Sequence, residues 1–237
     1  MVDIHCHILP GLDDGPADIE VSLAMARIAA EDGIRAIVAT PHVDPDRRRP
    51  TADVIRAGVA ELNEAIQAEG IKLTILPGAE IQLTGSLEAD VLSGELLTVA
   101  DRGKHLLVEL PFTGYAAFLP ELFFGIQLQG LVPIIAHPER SAVARTDLDI
   151  IRGLSDRGCL LQVNADSLLG REGRVVRGIA QTLLREIRVD MIATDAHDPR
   201  HRPPKLVRVR RALRRLGGDD VFARLTGSAP ARIAGIG

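Results

Sequence analysis

The chain is predicted to be an α/β protein, a distorted seven-stranded (β/α) barrel of the TIM type formed by a single domain over residues 1–237. Three observations predict it. Short apolar runs alternate with amphipathic segments from one end to the other, the pattern of βα units on a parallel sheet. About seven such units occur within 237 residues, a length that suits one α/β barrel better than two domains. No repeat, low-complexity tract or linker interrupts the alternation. A doubly wound open sheet is the alternative, but no glycine-rich phosphate loop follows the first strand.

The opening stretch, Val2-Asp3-Ile4-His5-Cys6-His7, reads as a strand whose side chains alternate between two faces. His5 and His7 therefore share a face and Cys6 takes the other, while Asp14 follows a Pro10-Gly11 turn. Asp18 to Glu31 carries Ile19, Leu23, Met25, Ala26 and Ile28 at helical spacing and stops at Gly33. Arg35 to Thr40 is a buried strand ending in Pro41-His42, and Thr51 to Glu69 a helix with Thr51 as cap. Lys72 to Leu76 is a strand followed by Gly78-Ala79-Glu80, and Gly103 to Leu110 one with Glu109 near its end. Tyr115 to Gln129 reads as a helix, and Leu131 to Ala136 as a strand ending in His137-Pro138-Glu139-Arg140. Leu148 to Arg157 is a helix, Cys159 to Val163 a strand ending at Asn164, and Val175 to Glu186 a helix. Val189 to Ala193 is a strand leading into Thr194-Asp195-Ala196-His197; Leu206–Leu216, Asp220–Leu225 and Ala229–Ala234 close the chain as helices.

The polar residues fall at one end of these strands. His5, His7, His42, Glu80, Glu109, His137, Asn164, Asp195 and His197 each lie at or just past a predicted strand's carboxyl end. In a parallel barrel all those ends open on one face, where chemistry sits. Each residue alone has an ordinary reading, as a solvated carboxylate, a turn or a cap, but the set does not. Imidazoles and carboxylates without thiolate suit Mn²⁺, Fe or Zn²⁺. Five histidines with Asp14, Glu80, Glu109 and Asp195 exceed what one ion can use, so two or three ions sharing carboxylates are expected, the usual equipment for phosphoester hydrolysis. Asn164 is a weak ligand with a supporting role. Arg140 brings a planar fork suited to phosphate, the alternative being an ion pair with Glu139, and Arg202 has the same potential.

Composition sets further limits. With 46% hydrophobic and 25% charged residues the chain has material for a core, and no apolar run is long enough to span a bilayer. No basic-then-apolar segment opens it, and Cys6 and Cys159 are too few for a disulfide framework, so a cytoplasmic location is expected. Neither cysteine is followed by an arginine six positions on, so a thiolate phosphatase is unsupported. A net charge of -4 is neutral on nucleic acid.

The blocks from Asp3 to Gly15, Ala39-Thr40-Pro41-His42, Gly78-Ala79-Glu80, Glu109-Leu110-Pro111-Phe112, Ile135 to Arg140 and Thr194-Asp195-Ala196-His197 resemble the polymerase-and-histidinol-phosphatase (PHP) superfamily. They look most like its bacterial branch of manganese-dependent protein tyrosine phosphatases from capsule and exopolysaccharide systems. The resemblance runs in order from residue 2 to about Pro204. It implies a trinuclear site: His5, His7, Glu80 and Asp195 for one ion; Glu80, Glu109 and His137 for a second; Asp14, His42 and His197 for a third. It also implies that Arg140 grips phosphate with help from Arg202, and that water attacks phosphorus without a covalent enzyme intermediate. The implied partner is the phosphotyrosine-bearing tail of a bacterial tyrosine autokinase. Histidinol-phosphate-like small phosphomonoesters, a metal-binding regulatory subunit and a nucleic-acid phosphoesterase remain as rivals.

Two stretches bear on the partner. Phe112 or Tyr115 could stack on a tyrosine ring, with Phe118, Phe123 and Phe124 as helix-core residues. Arg208, Arg211 and Arg215 share a helix face in the basic segment Arg200 to Arg215, which would attract an acidic tail or simply face solvent. The segment after His42, Val43 to Arg49, is unusually charged.

Overall fold

A computed structural model describes residues 1–43, 50–113 and 118–236. Nine strands alternate with helices: β1 (Val2–Cys6), α1 (Ile19–Glu31), β2 (Ala36–Ala39), β3 (His42–Val43), α2 (Ala52–Ala68), β4 (Thr74–Pro77), β5 (Glu80–Gln82), α3 (Leu87–Ser93), β6 (His105–Glu109), α4 (Leu119–Leu128), β7 (Val132–Ala136), α5 (Ala142–Thr146), α6 (Leu148–Asp156), β8 (Leu160–Asn164), α7 (Ala165–Leu169), α8 (Arg174–Glu186), β9 (Met191–Ala193), α9 (Arg210–Ala223) and α10 (Ala229–Ala234). All strand pairs are parallel. Hydrogen bonding sorts them into a sheet β1-β2-β4 and a sheet β3-β5-β6-β7-β8-β9, rather than the single ring of seven that was expected. The difference has a local cause. Beyond two expected strands, Arg35–Thr40 and Lys72–Leu76, pairing resumes after a break, β3 following β2 past Thr40-Pro41 and β5 following β4 past Gly78-Ala79. Pro41 has no N–H to donate, and a Cβ on Gly78 would stand 2.6 Å from the Val38 side chain. The sheets also meet where β1 ends: Asp195 N donates to His5 O at 2.9 Å and His7 N to Ala196 O at 2.8 Å.

Helix starts follow their caps. Asp18 accepts from Val21 N, Thr51 from Val54 N and Ser141 from Ala144 N, satisfying amides that the first turn leaves free. Asn63 of α2 locks that helix to β4 through paired 2.9 Å bonds to the backbone of Ile75. The short helices α3, α5 and α7 were not expected. Near the C-terminus two expected helices run together as α9, kinked at Gly217 and Gly218. Tyr115 and the charged residues 44–49 lie outside the described residues.

Alternation along the strands separates two apolar clusters. Cys6, Ile37, Ile75, Ile81, Val108, Ile135, Leu161, Val163 and Ile192 face the helices. Ile4, Val38, Leu107, Ile134, Ala136, Met191 and Ala193 form an inner cluster closed by Ile233 and Ala234 of α10. Both cysteines are buried and unbridged, Cys6 as the small core residue expected. On β1 the register shifts between Asp3 and Cys6, an irregularity that increases local twist. Among the described residues no helix is long and apolar enough to cross a membrane.

Candidate metal centre

At the carboxyl ends of the strands the nine predicted ligands converge. His5 Nε2 lies 3.2 Å from His7 Nε2, 3.3 Å from Glu80 Oε2 and 3.5 Å from Asp195 Oδ1. His7 Nε2 is 3.4 Å from each of the same carboxylate oxygens. His5 Nε2, His7 Nε2 and Glu80 Oε2, 3.2–3.4 Å from one another, have the spacing of neighbouring donors on one first-row divalent ion. Glu80 turns its other oxygen to His137 Nε2 at 2.9 Å, and Glu109 Oε1 lies 3.6 Å from that nitrogen. Asp14 Oδ1 stands 3.2 Å from His197 Nε2 and 3.6 Å from His42 Nε2. Grouped by donor atoms within 4.8 Å of one another, the residues form the sets His7-Asp14-His42-His197, His5-His7-Glu80, His5-His137-Asp195 and His42-Glu80-Glu109. His7 thus also borders the Asp14 group, and His137 also borders Asp195. His105, at the start of β6, and His201, in an exposed loop, stand outside the cluster.

Hydrogen bonds fix how these imidazoles are presented. Asn164 Nδ2 donates to Asp195 Oδ2 at 2.7 Å, so its Oδ1 accepts from Gln162 Nε2 at 2.8 Å. Gln162 therefore turns Oε1 toward His5 Nδ1 at 2.8 Å. An amide oxygen only accepts, so His5 carries its proton on Nδ1 and offers a bare Nε2. His7 does the same through Asp13 Oδ2 at 2.6 Å, and His197 through the backbone oxygen of Asp195 at 3.0 Å. Bare nitrogens of His5 and His7 facing each other beside two buried carboxylates repel unless a cation lies between them. Glu80 Oε2 is buried among three imidazole nitrogens, His42 Nδ1 at 2.9 Å, His5 Nε2 at 3.3 Å and His7 Nε2 at 3.4 Å, yet makes no well-directed hydrogen bond, a place that an ion satisfies. The donor set fits a metal.

The electrostatics agree. Burial opposes charge on His7, yet Asp13, Asp195 and Glu80 raise it well above the usual imidazole range. Burial also opposes charge on Glu80, but the surrounding histidines hold it well below the usual carboxylate range. Glu109 is pushed up to about 7 by burial and by the Glu80 charge. His197 is pushed down to about 4 by burial and by His7. The cluster is short of positive charge at its centre and holds protons where ions would otherwise sit.

Arg140 and Arg202 both reach it. Arg140 Nη1 donates to Asp195 Oδ2 at 2.7 Å, and Arg202 Nη2 lies 2.7 Å from the same oxygen. The alternative pairing of Arg140 with Glu139 is absent. Glu139 is fully buried, pushed up to about 7 by burial, and its Oε1 accepts from Asn164 N at 2.8 Å. Asp198 gathers the amides of Arg200, His201 and Arg202 to shape the turn that carries Arg202. Phe112 is 42% exposed, its ring stacked on His137 at 6.0 Å with the Arg140 guanidinium 5.0 Å above it. Of the basic helix, Arg210 and Arg214 are paired with Asp219, while Arg211 and Arg215 face solvent.

Three supporting residues escaped the sequence reading. Gln162 sits two positions before Asn164 on one strand face, a signal that could have found it. Asp13 was masked by the neighbouring candidate ligand Asp14. Asp3 was missed on β1, where its carboxylate accepts from the amide and hydroxyl of Thr194.

Comparison with known proteins matches these features. The chain is 37% identical over 202 residues to the tyrosine-protein phosphatase YwqE of Bacillus subtilis, covering 85% of this chain and 79% of that protein. It is 32% identical over 203 residues to the putative tyrosine-protein phosphatase CapC of Staphylococcus aureus, covering 86% and 79%. It superposes with a TM-score of 0.92 and 33% identity on a crystal structure from the pair YwqE of Bacillus subtilis and CpsB of Streptococcus pneumoniae, described as metal-dependent tyrosine phosphatases, covering 100% of this chain and 96% of that chain. The family profile for capsular polysaccharide synthesis proteins CpsB/CapC spans residues 1–234, and the chain belongs to that family.

Proposed function

We propose that the chain is a metal-dependent tyrosine-protein phosphatase, a single domain acting in the cytoplasm on the phosphotyrosine-bearing tail of a bacterial tyrosine autokinase. The strands are read as seven lines, with β2/β3 and β4/β5 each one interrupted strand, wrapped into a distorted barrel. Three Mn²⁺ ions would be held by His5, His7, Glu80 and Asp195, by Glu80, Glu109 and His137, and by Asp14, His42 and His197. Bound there, the ions supply Lewis-acid charge for phosphate oxygens and a nucleophilic water at neutral pH.

The chain's own groups do the rest. Asp13, Gln162 and the Asp195 carbonyl hold three imidazoles in the tautomer that leaves Nε2 free. Arg140 and Arg202 exchange the Asp195 oxygen for phosphate oxygens, binding them with charge-assisted hydrogen bonds that strengthen as charge shifts toward the leaving oxygen. Phe112 offers its exposed ring to the tyrosine ring. The observation that carries the reading is the pair of guanidinium groups on one carboxylate oxygen beside the ligand cluster, since a purely structural metal site has no need of a phosphate grip.

The test is phosphate release from a phosphotyrosine peptide and from histidinol phosphate, using chelator-stripped protein resupplied with Mn²⁺. Manganese-dependent turnover of the peptide is expected. Preference for histidinol phosphate moves the protein to small-molecule chemistry, and activity on neither with metal bound makes it a binding subunit.

A further inference from the structure

A second cluster of charge lies at the opposite end of the strands. A cavity of about 400 Å³ opens where β6 and β8 begin, beneath the C-terminal helices. It is lined by Arg102, Lys104, Arg188, Arg224 and Arg232, with His105 at its wall. The one carboxylate in the lining, Asp190, is already spent: Oδ1 pairs with Arg188 at 2.6 Å and Oδ2 accepts from Leu161 N at 3.0 Å. Among the described residues Arg102, Lys104, Arg224 and Arg232 have no carboxylate partner, in a chain whose net charge is -4. Because β6 and β8 are five residues long, this cavity is roughly 17 Å from the metal cluster at 3.3 Å per residue.

Several features distinguish it from a solvated basic face. It is concave, within the size range of small-ligand sites, and its floor is apolar, built by Ile233 and Ala229 of α10 and by Leu160. The Arg102 guanidinium lies against Gly235, where any Cβ would collide with it, so the helix end is shaped to hold that cation in place. The Nδ1 atom of His105 is buried without a hydrogen-bond partner, a cost that a bound acceptor or donor removes. Burial, with the charges of Lys104 and Arg102 added to it, pushes this imidazole down to about 4.

We propose that this cavity is a second anion site, taking a small phosphate-bearing ligand whose oxygens meet Arg102, Lys104 and Arg232 and whose neighbouring atoms rest on Ile233 and Leu160. Planar guanidinium forks and a lysine around a tetrahedral dianion give the recognition, as charge-assisted hydrogen bonds do elsewhere. The chemistry is shared by free inorganic phosphate and by a phosphorylated organic molecule, and the apolar floor separates them.

The test is calorimetric titration of the manganese-loaded full chain with inorganic phosphate and, separately, with phenylphosphonate, a non-hydrolysable analogue of a phosphate monoester. In Arg140→Ala, binding at the cavity is expected to survive. Adding Lys104→Glu and Arg232→Glu, both exposed side chains, is expected to weaken it at least tenfold with the melting temperature retained. Tighter binding of phenylphosphonate identifies a phosphorylated organic ligand, and equal binding identifies free phosphate. Because the ions also take phosphate oxygens, the cavity is read from the number of anions bound, and the proposal is overturned if Arg140→Ala abolishes all binding or if the charge reversals leave that number unchanged. Should the reversals unfold the chain, crystals of the unmodified protein soaked in selenate decide: an anomalous peak beside Arg102 and Lys104 supports the site, and its absence there removes it.

Discussion

Asp13 is the residue on which the metal centre is most finely balanced, because it sets the proton of His7 without touching an ion. Its Oδ2 accepts from His7 Nδ1 at 2.6 Å and from His42 N at 3.0 Å, and Oδ1 accepts from Gly15 N at 2.9 Å. In Asp13→Asn the amide oxygen takes the Oδ2 position, since two donors converge there, and the NH₂ group turns toward the half-exposed Gly15 amide, which water can serve. The His7 bond then survives without its charge. Charged hydrogen bonds contribute about 1.5–3 kcal/mol and neutral ones about 0.5–1.5, so the loss is about 1–1.5 kcal/mol. That is about a 5- to 12-fold weaker metal affinity, at 1.4 kcal/mol per tenfold. Asp13→Ala loses the whole bond, about 10- to 150-fold, and frees the His7 ring to hold its proton on Nε2, facing His5. The assay is competition for Mn²⁺ against a fluorescent chelator, with the melting temperature of the ion-free variants as a check on folding. An alanine variant that folds and binds Mn²⁺ within twofold of the parent refutes the reasoning, and so does an asparagine variant weaker than the alanine one.

Arg140→Ala should leave metal content unchanged by elemental analysis while kcat/KM falls about 10²- to 10³-fold, the cost of removing one preorganised donor; Arg140→Lys should recover little, since the fork is lost. Metal uptake should release protons, because His7 lies well above the imidazole range and Glu109 at about 7 in the ion-free protein; raised groups hold protons that the ion must expel, so affinity falls as pH falls. Calorimetry in buffers of different ionisation enthalpy reads that release, and a slope of zero at pH 6.5 would count against it. Chelation should lower the melting temperature by about 8–16 °C from a metal concentration of about 1,000 Kd, since binding then contributes about 4.1 kcal/mol and each kcal/mol is worth about 2–4 °C at this size. Phe112→Ala should raise KM for a phosphotyrosine peptide while leaving KM for a phosphomonoester without an aromatic ring unchanged.

Much of this was legible because strand ends and polar residues coincide in the sequence. His137 follows the apolar run of β7, and Asp195 and His197 follow that of β9, so a parallel sheet alone brings them to one face. The split strands were not legible. Thr40-Pro41 and Gly78-Ala79 read as the ends of strands, whereas each is a break after which two or three residues resume pairing in the second sheet, carrying His42 and Glu80 with them. The helices α5 and α7 are too short, five residues each, to show a period against the turns around them. Glu139, which adjacency offers as the alternative partner of Arg140, is instead buried by the turn after β7 against the backbone of Asn164.

That turn also shows what the site costs the chain. His137 and Asp195 have φ of 28° and 52°, a left-handed backbone that side chains other than glycine seldom adopt and that costs about 1–3 kcal/mol each. Glycine would relieve the strain at either position but would remove a proposed ligand. The strain is offset instead by bonds that cross the strands: Asp195 N to His5 O, and His137 N to Gln162 Oε1 at 3.4 Å. Gln162 thereby serves two ends at once, steadying the strained backbone of His137 and fixing the proton of His5. A side chain that is neither ligand nor phosphate grip thus ties β1, β7 and β8 together. The geometry of the cluster is therefore carried by amides and carboxylates one layer behind it, and the sheet's register, which sets where those groups stand, determines where an ion can be held.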